Sequence, residues 1–312
     1  KNEVAPMKGF GAKSQQKILD GIDLLARFSE RRRLDIGLRY GQTFLAMIQN
    51  LVGVERAELA GSARRRRETI GDLDIVAAVQ PEDVERVTAD ILSLNGIADV
   101  KGAGDSKVSV ILDTSIFDGG FSLGHLDANV LDAIGGEGYE QLESGGTIDA
   151  QVRLVPPHVF AFTVAYFTGS KEHNIRMRQV AQDKGLKLNE FGLMPETELT
   201  GLEAAATSLS ATTESEIYAH LGLQFVIPEL REDMGEIEAS ASKMLPELTS
   251  LSDIRGALHN HTTLSDGEAS LEQMADAAQR MGWNWLGIAD HSPTLQVAHG
   301  ASADDRLEQK DK

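Results

Sequence analysis

Gly61–Val76 constrains the fold more than any other stretch of this chain, because it joins a turn, a cationic block and the start of a buried strand. It reads Gly-Ser-Ala-Arg-Arg-Arg-Arg-Glu-Thr-Ile-Gly-Asp-Leu-Asp-Ile-Val. The apolar run Leu73–Val79 predicts a buried strand, and alternation along a strand places Asp72 and Asp74 on one face. Two such carboxylates can share a hard divalent cation that takes its other ligands from water and substrate phosphates.

The residues before these aspartates suit phosphate groups. Gly61 and Ser62 offer backbone N–H groups and a hydroxyl, and the arginines at 64–67 offer bidentate guanidinium groups. Alone, an Asp-x-Asp pair is more often a solvated strand end, and an arginine block is more often a solvated loop. The whole string, however, contains the parts of a nucleotidyl-transfer site: metal ligands, a triphosphate cradle and cations for a leaving pyrophosphate.

This string resembles the Gly-Ser-x-Arg-Arg…Gly-Asp-x-Asp motif of family X DNA polymerases, the group related to DNA polymerase beta. The resemblance implies two-metal catalysis with Mg²⁺ or Mn²⁺ bound by Asp72 and Asp74, and β/γ-phosphates of a dNTP held by Gly61, Ser62 and Arg65. The nucleotide-binding residues implied over the whole chain are Gly61, Ser62, Arg65, Gly71, Tyr166, Phe167, Gly169, Asn174 and Arg178.

The chain departs from the family at the third carboxylate. The family places an aspartate on the strand predicted here over Thr147–Val155, and this chain has Gln151 at that position. The nearest carboxylate is Asp149, two residues earlier. We expect a bulge or register shift to bring Asp149 into the site as the third catalytic residue and metal ligand. Without such a shift the polymerase site would be impaired.

The segment Tyr166–Ser170, Tyr-Phe-Thr-Gly-Ser, resembles the family's sugar-binding turn. By that resemblance Tyr166 and Phe167 pack against the deoxyribose and exclude a 2′-OH. Asn174 and Arg178 lie one turn apart on the helix that Ser170 is expected to cap, and would touch the minor-groove side of the nascent base pair.

A Gly-x-Gly turn near the start of the chain resembles half of a helix-hairpin-helix element. Gly9, Gly11 and Lys13 precede a helix that Ser14 is expected to cap, and free N–H groups there would bind the DNA backbone.

A second metal site is predicted near the C-terminus. His259 and His261 share one face of a predicted strand, Asp266 follows in a Ser-Asp-Gly turn, and His291 follows the next strand. This spacing resembles the PHP (polymerase and histidinol phosphatase) phosphoesterase fold, which implies Mn²⁺ or Zn²⁺ and a 3′–5′ exonuclease or phosphoesterase activity in an intact protein. Because the sequence ends at Lys312, we expect only the first part of that barrel.

These motifs predict an α+β protein in four segments. They are a helix-hairpin-helix and fingers region (1–52), a nucleotidyltransferase palm with a mixed sheet (53–165, with an insertion at 113–146), a thumb and linker (166–250), and the truncated start of a PHP-type β/α barrel (251–312). The first residue is Lys1 rather than Met, so we expect a fragment without the family's N-terminal domain.

Composition narrows the class of protein. The absence of cysteine excludes disulfides and thiolate zinc sites, and no apolar run is long enough to span a membrane. The net charge is −18, but local basic stretches still permit DNA binding. We expect a cytoplasmic monomer.

The leading hypothesis is a template-directed DNA polymerase that fills short gaps in DNA repair, with gapped or primer-template DNA and dNTPs as partners. One alternative is a DNA-binding module with a decayed polymerase site. Another is a PHP phosphoesterase that uses the rest of the chain only to bind DNA.

Overall fold

The computed structural model describes Val4 and residues 11–19, 31–117, 146–196 and 207–310. The described residues up to Leu245 form one compact unit, unit 1, and those from Pro246 form unit 2. The predicted insertion at 113–146 lies largely outside the described residues, as do Gly9 and the turn around it.

Unit 1 contains nine strands and eight α-helices among its described residues. The strands are β1 (Arg32–Arg33), β2 (Val54–Leu59), β3 (Thr69–Ile70), β4 (Asp72–Val79), β5 (Ile97–Gly104), β6 (Lys107–Asp113), β7 (Thr147–Val155), β8 (Leu186–Asn189) and β9 (Gly192–Pro195). The helices are α1 (12–19), α2 (Leu34–Gln49), α3 (Gly61–Arg64), α4 (Val84–Leu92), α5 (Phe160–Thr168), α6 (Lys171–Gln182), α7 (Glu214–His220) and α8 (Glu236–Ala241).

The central sheet of unit 1 has the strand order β2-β4-β7-β6-β5. β4 and β7 are parallel, and the other neighbouring strands are antiparallel. The predicted mixed sheet is therefore confirmed. Along β7 buried and partly buried residues alternate, as expected for a sheet with one face in the core.

The two faces of the sheet are covered to different extents. Helix α2 packs on the face that carries Leu73. The helix approaches the sheet closely at Gly41, where a Cβ would lie only 3.3 Å from the Leu73 side chain. On the opposite face, helix α5 covers Val76 and Ala78 through Phe160. The acidic end of β4 lies on that second face before the part that α5 covers, so Asp72 and Asp74 remain only partly buried.

A second hydrophobic cluster joins the helices α5, α6, α7 and α8 of unit 1. It includes Met177 of α6, Leu193 of β9, and Ile217 and Tyr218 of α7, all at most 4% exposed. Ser170 caps α6 as predicted, because its Oγ accepts a hydrogen bond from the His173 backbone N–H. In contrast, α1 already begins at residue 12, so Ser14 lies inside the helix and the predicted cap is wrong.

A buried charged network connects this cluster to the sheet. Glu214, at the start of α7, accepts hydrogen bonds from Nη1 of Arg231 and from Nη2 of Arg64, each at 2.6 Å. Arg231 is completely buried, and its guanidinium also lies 5.4 Å from the ring centroids of Tyr218 and Phe225. A carboxylate between two guanidinium groups is a favourable way to bury these charges.

Unit 2 contains two parallel strands, β10 (Gly256–Asn260) and β11 (Trp285–Ile288), and the helices α9 (Leu271–Arg280) and α10 (Ala303–Lys310). Ser270 and Gln273 form a capping box at the start of α9. A strand, a helix and a second parallel strand are compatible with the start of a β/α barrel, which stays a prediction. No helix in the described parts of either unit is long and apolar enough to cross a membrane.

We expect Glu214→Ala to destabilise the protein by roughly 3–5 kcal/mol, because it leaves the buried Arg231 guanidinium without its carboxylate. Urea unfolding measures this change. Asp35→Ala is the matched control, since Asp35 forms an exposed ion pair with Arg33 and should contribute less than about 1 kcal/mol. Equal losses in the two variants would contradict a structural role for the network.

Candidate active site

The two predicted metal ligands lie on one face of the sheet of unit 1. Asp72 begins β4 and Asp74 follows two positions later, and both side chains are partly buried. The buried residues Leu73 and Ile75 alternate with them and anchor the strand in the core. The predicted strand and the shared face are therefore confirmed.

The Gly-Ser turn packs directly against Asp74. The backbone N–H of Ala60 donates to the carbonyl oxygen of Asp74 at 2.8 Å, and α3 begins at the next residue, Gly61. A Cβ atom on Gly61 would collide with Oδ2 of Asp74, and Gly61 also has a left-handed φ of +61°. Glycine is needed at position 61 for both reasons. The structure brings the predicted phosphate turn and the predicted metal ligands together.

The electrostatics of Asp74 suit cation binding. Burial and the neighbouring Asp72 carboxylate raise the pKa of Asp74 to about 6, although Arg153 and Arg65 oppose the shift. A divalent cation between the two aspartates would relieve this repulsion and compensate the buried charge. The donor set of Asp72 and Asp74 fits one Mg²⁺ or Mn²⁺ ion, because such ions bind to one or two carboxylates plus phosphates and water.

The predicted movement of Asp149 into the site is wrong. Strands β4 and β7 pair without interruption from Asp72 opposite Asp149 to Ala78 opposite Val155, so neither a bulge nor a register shift forms. Gln151 lies opposite Asp74. The physical reason is that β7 pairs without interruption on both edges, with β4 and with β6, from Thr147 opposite Asp113 to Arg153 opposite Lys107.

Asp149 has another partner. Its Oδ2 lies 2.6 Å from Nζ of Lys101 on β5, and both side chains are about half exposed (47% and 48%). Asp149 is thus on the acidic face, beside Asp72, but its charge is compensated by a lysine. The sequence contained no signal for this pairing, because Lys101 lies on a different strand of the sheet.

The arginine block divides into structural and exposed residues. Nε of Arg65 donates to Glu232 at 2.7 Å and Nη1 donates to the carbonyl oxygen of Thr168 at 2.5 Å. Nη1 of Arg64 donates to Oγ1 of Thr168 at 2.8 Å, and Arg64 also binds Glu214. These two arginines fasten the Gly-Ser turn to the end of α5. To bind a phosphate as predicted, the Arg65 guanidinium would have to do so while it already donates to two protein acceptors.

Arg153 links the sheet to the predicted sugar-binding aromatics. Its guanidinium carbon lies 3.6 Å from the ring centroid of Phe167, and Tyr166 packs edge-on against Phe167 at 5.1 Å. Burial lowers the pKa of Arg153, while Asp74 acts in the opposite direction. A cation stacked on an aromatic face holds Phe167 next to the acidic end of the sheet.

The predicted base-pair residues lie beside Tyr166. Nδ2 of Asn174 donates to the carbonyl oxygen of Tyr166 at 2.7 Å, and Arg178 lines a shallow cleft with Tyr166 and Asn189. The turn before α6 contains Gly169, whose φ is +70° and whose peptide bond to Ser170 is cis.

The other predicted site residues have more ordinary surroundings. A Cβ on Gly71 would lie 2.8 Å from Nη1 of Arg31, so Gly71 makes room for an arginine. Lys13 is exposed on α1, and the carbonyl oxygen of Gly11 accepts the first hydrogen bond of that helix from the Gln15 backbone.

One buried polar cluster was not anticipated from the sequence. Nδ1 of His173 lies 2.6 Å from Oε1 of Glu236, and Nε2 lies 2.8 Å from the hydroxyl of Tyr218. All three side chains are buried, and His173 directly precedes Asn174 on α6. Because the three residues are far apart in sequence, no local pattern could indicate the cluster.

Unit 2 brings together three of its four predicted metal ligands. His261, Asp266 and His291 have ligand atoms within 4.8 Å of one another. Nδ1 of His261 lies 3.1 Å from Oδ1 of Asp266 and is buried without a well-formed hydrogen bond. The two imidazoles and the carboxylate of this group form a donor set that suits Mn²⁺ or Zn²⁺. His259 is not part of the group, although its ring centroid lies 5.2 Å from that of His261.

The backbone explains the position of His259. The pairing of β10 with β11 shifts register between Ala257 and Asn260, and His259 has a left-handed φ of +62°. The regular alternation assumed for the predicted strand is therefore interrupted at His259. Asp290, which was not among the predicted metal ligands, accepts hydrogen bonds from Thr262 and Ser265 and so holds the metal-ligand loop.

Comparison with known proteins identifies relatives of this chain. Residues 163–232 match the sequence family described as DNA polymerase beta thumb. The chain is 35% identical over 311 residues to the DNA polymerase/3′-5′ exonuclease PolX of Bacillus subtilis, which covers 99% of this chain and 47% of that protein. It is 28% identical over 174 residues to DNA polymerase lambda of Arabidopsis thaliana, covering 55% of this chain and 31% of that protein.

A solved structure shares the fold. The Leishmania infantum polymerase beta in a ternary P/T complex aligns with a TM-score of 0.50 and 18% identity, over 72% of this chain and 95% of that one. The nucleotidyltransferase fold with a thumb is therefore confirmed. The chain spans less than half the length of each of the Bacillus and Arabidopsis relatives.

We expect Asp74→Asn to stabilise the protein in a pH-dependent manner. A pKa raised from 3.8 to about 6 means that stability falls as the pH rises through that range, by about 3 kcal/mol in total. The free energy of unfolding of Asp74→Asn should thus exceed that of the parent protein by up to about 3 kcal/mol at pH 7.5 and by only about 1 kcal/mol at pH 4.5. Urea unfolding without divalent ions measures the difference.

Asp149→Asn is the matched control for this measurement. Asp149 is half exposed and paired with Lys101, so its replacement should change stability by less than about 1 kcal/mol. A gain in Asp74→Asn that is equal at both pH values would show that Asp74 is not a buried, repelled carboxylate.

Proposed function

The chain belongs to the family X DNA polymerases, and we propose that it adds dNTPs to a primer end on gapped or primer-template DNA. The observation that carries this proposal is the contact between Gly61 and the Asp74 carboxylate at the open end of the sheet. It puts a turn suited to phosphates beside a carboxylate pair suited to a cation, which is the requirement for binding a metal–triphosphate complex.

Asp72 and Asp74 would hold Mg²⁺ or Mn²⁺ at this site. Such an ion supplies charge stabilisation for a phosphoryl group and its pyrophosphate leaving group. The chain's own contribution is placement: the paired strands fix the two carboxylates, and Arg64 and Arg65 hold the turn against the end of α5.

We further propose that Tyr166 and Phe167 select the sugar of the nucleotide. Phe167 is held by Arg153, and its edge contact with Tyr166 leaves little freedom for either ring. Rigid rings close to the 2′ carbon would exclude a hydroxyl there. Asn174 and Arg178, on the adjoining helix, would contact the minor-groove edge of the new base pair, where shape is checked more than sequence.

DNA is the proposed macromolecular partner. Gly11 and the exposed Lys13 lie at the start of α1, which would bind the DNA backbone without reading its sequence. The relation to DNA polymerases, named above, supports this partner. A monomeric state stays a prediction.

We expect the chain to extend a primer across a one-nucleotide gap in the presence of Mg²⁺ or Mn²⁺, and we expect Asp74→Ala to abolish extension. A gel-based primer-extension assay measures both. Glu85→Ala, an exposed change on α4, is the control and should extend normally. Binding of gapped DNA without any extension would instead favour a DNA-binding module with a decayed site.

The His–Asp–His group of unit 2 favours a second function, metal-dependent phosphoester hydrolysis. His261, Asp266 and His291 provide two imidazoles and a carboxylate, a donor set that could activate water. The word exonuclease in the description of the Bacillus relative applies to that protein, and here we propose only the metal site and this reaction class.

We expect His261→Ala to weaken Mn²⁺ or Zn²⁺ binding by at least 10-fold, measured by isothermal titration calorimetry in an Asp72→Asn/Asp74→Asn background. His259→Ala is the matched control, because His259 lies outside the group, and its effect should be under about threefold. Equal losses in both variants would place the ion elsewhere in unit 2.

A further inference from the structure

We propose that the acidic face of the sheet holds one divalent cation rather than two, and that Gln151 is the residue that limits nucleotide transfer. The proposal rests on the proposed function and specifies its metal content. It follows from which side chains share the face with Asp72 and Asp74, and from how each of them is already paired.

Three rows of side chains run across strands β4, β7 and β6 on this face. In order along the strands they are Asp72, Asp149 and Ile111; then Asp74, Gln151 and Ser109; then Val76, Arg153 and Lys107. The first row is acidic, the second has a single charge, and the third is basic. Neighbouring strands are about 4.8 Å apart, so Gln151 is the closest β7 side chain to Asp74 on this face.

The middle row lacks the charge that a second ion requires. The Gln151 amide oxygen can coordinate a cation weakly, but it neither neutralises positive charge nor accepts a proton at neutral pH. In the transfer step the 3′ oxygen forms a bond to the α-phosphorus, the bond to pyrophosphate breaks, and the 3′-OH proton must leave. A carboxylate at 151 could take that proton, whereas an amide cannot, so the proton has to pass to water.

Asp149 does not replace the missing carboxylate. It lies one row away, roughly 6–7 Å along the strand from position 151, and its Oδ2 is 2.6 Å from Lys101. Within the described part of the chain, the only group of three or more His, Asp or Glu ligands within 4.8 Å lies in unit 2. Among the described residues, no third carboxylate therefore lies within 4.8 Å of both Asp72 and Asp74.

The basic row opposes a second ion as well. Arg153 is fixed against the Phe167 ring at 3.6 Å, directly after Gln151 on the same face. An ion placed next to Gln151 would meet this guanidinium without a carboxylate between them, and like charges at such distances repel. One ion shared by Asp72 and Asp74 avoids this repulsion.

Gln151→Asp tests the proposal directly. All proteins carry His261→Ala and His291→Ala so that unit 2 does not add to the metal count. Bound Mn²⁺ is counted by electron paramagnetic resonance in a complex with gapped DNA, a dideoxy-terminated primer and dNTP. Transfer is measured as the single-turnover rate on an extendable primer. Gln151→Glu is a second acidic variant, and Gln151→Asn is the neutral control.

We expect one Mn²⁺ per complex in the parent and in Gln151→Asn, and two in Gln151→Asp. The transfer rate should rise at least about 10-fold in Gln151→Asp, and Gln151→Asn should show no such rise. Asp149→Asn should leave both the count and the rate within about threefold of the parent.

Three results would overturn the proposal: two ions in the parent, no gain in either folded acidic variant that still binds DNA and dNTP, or loss of transfer in Asp149→Asn. Failure of the proposed function has a different signature. In that case neither the parent nor Gln151→Asp would bind dNTP on gapped DNA, and both proposals would fall together.

Discussion

The close approach of Gly61 to the Asp74 carboxylate is the contact on which the rest of the site depends. It requires a residue without a side chain, a left-handed backbone at Gly61 and a carboxylate that is partly buried. The burial that positions Asp74 also raises its pKa, because it makes the charged carboxylate less stable. A bound cation would stabilise that charge. The burial of Asp74 therefore both positions this metal ligand and destabilises its charged form when no metal is bound.

The helices and the buried ion network keep this end of the sheet open. Helix α5 covers Val76 and Ala78 but ends beside Phe167, which Arg153 holds in place. Arg64 then connects the phosphate turn to Glu214, and Glu214 binds the fully buried Arg231. Arg64 and Arg65, next to the turn, therefore have a structural role, because both donate hydrogen bonds to acceptors elsewhere in unit 1.

The sequence predicted the local features well and the long-range ones poorly. Asp72 and Asp74 on one face and the Ser170 cap follow from periodicity and capping within a few residues, and both are confirmed. The partners of Arg64 and Asp149 lie on distant elements, so no local pattern indicates them. The expected shift of Asp149 is absent because β7 pairs without interruption with both β4 and β6, and His259 lies outside the metal group because the register of β10 changes there.

Anomalous diffraction at the manganese edge, from crystals grown with gapped DNA and a non-hydrolysable dNTP analogue, locates the metal relative to the Gly61–Asp74 contact. We expect a manganese peak between the carboxylates of Asp72 and Asp74, with the triphosphate over the Gly61–Ser62 turn. A triphosphate bound away from that turn, or the absence of manganese at this pair while the nucleotide is bound, would contradict it.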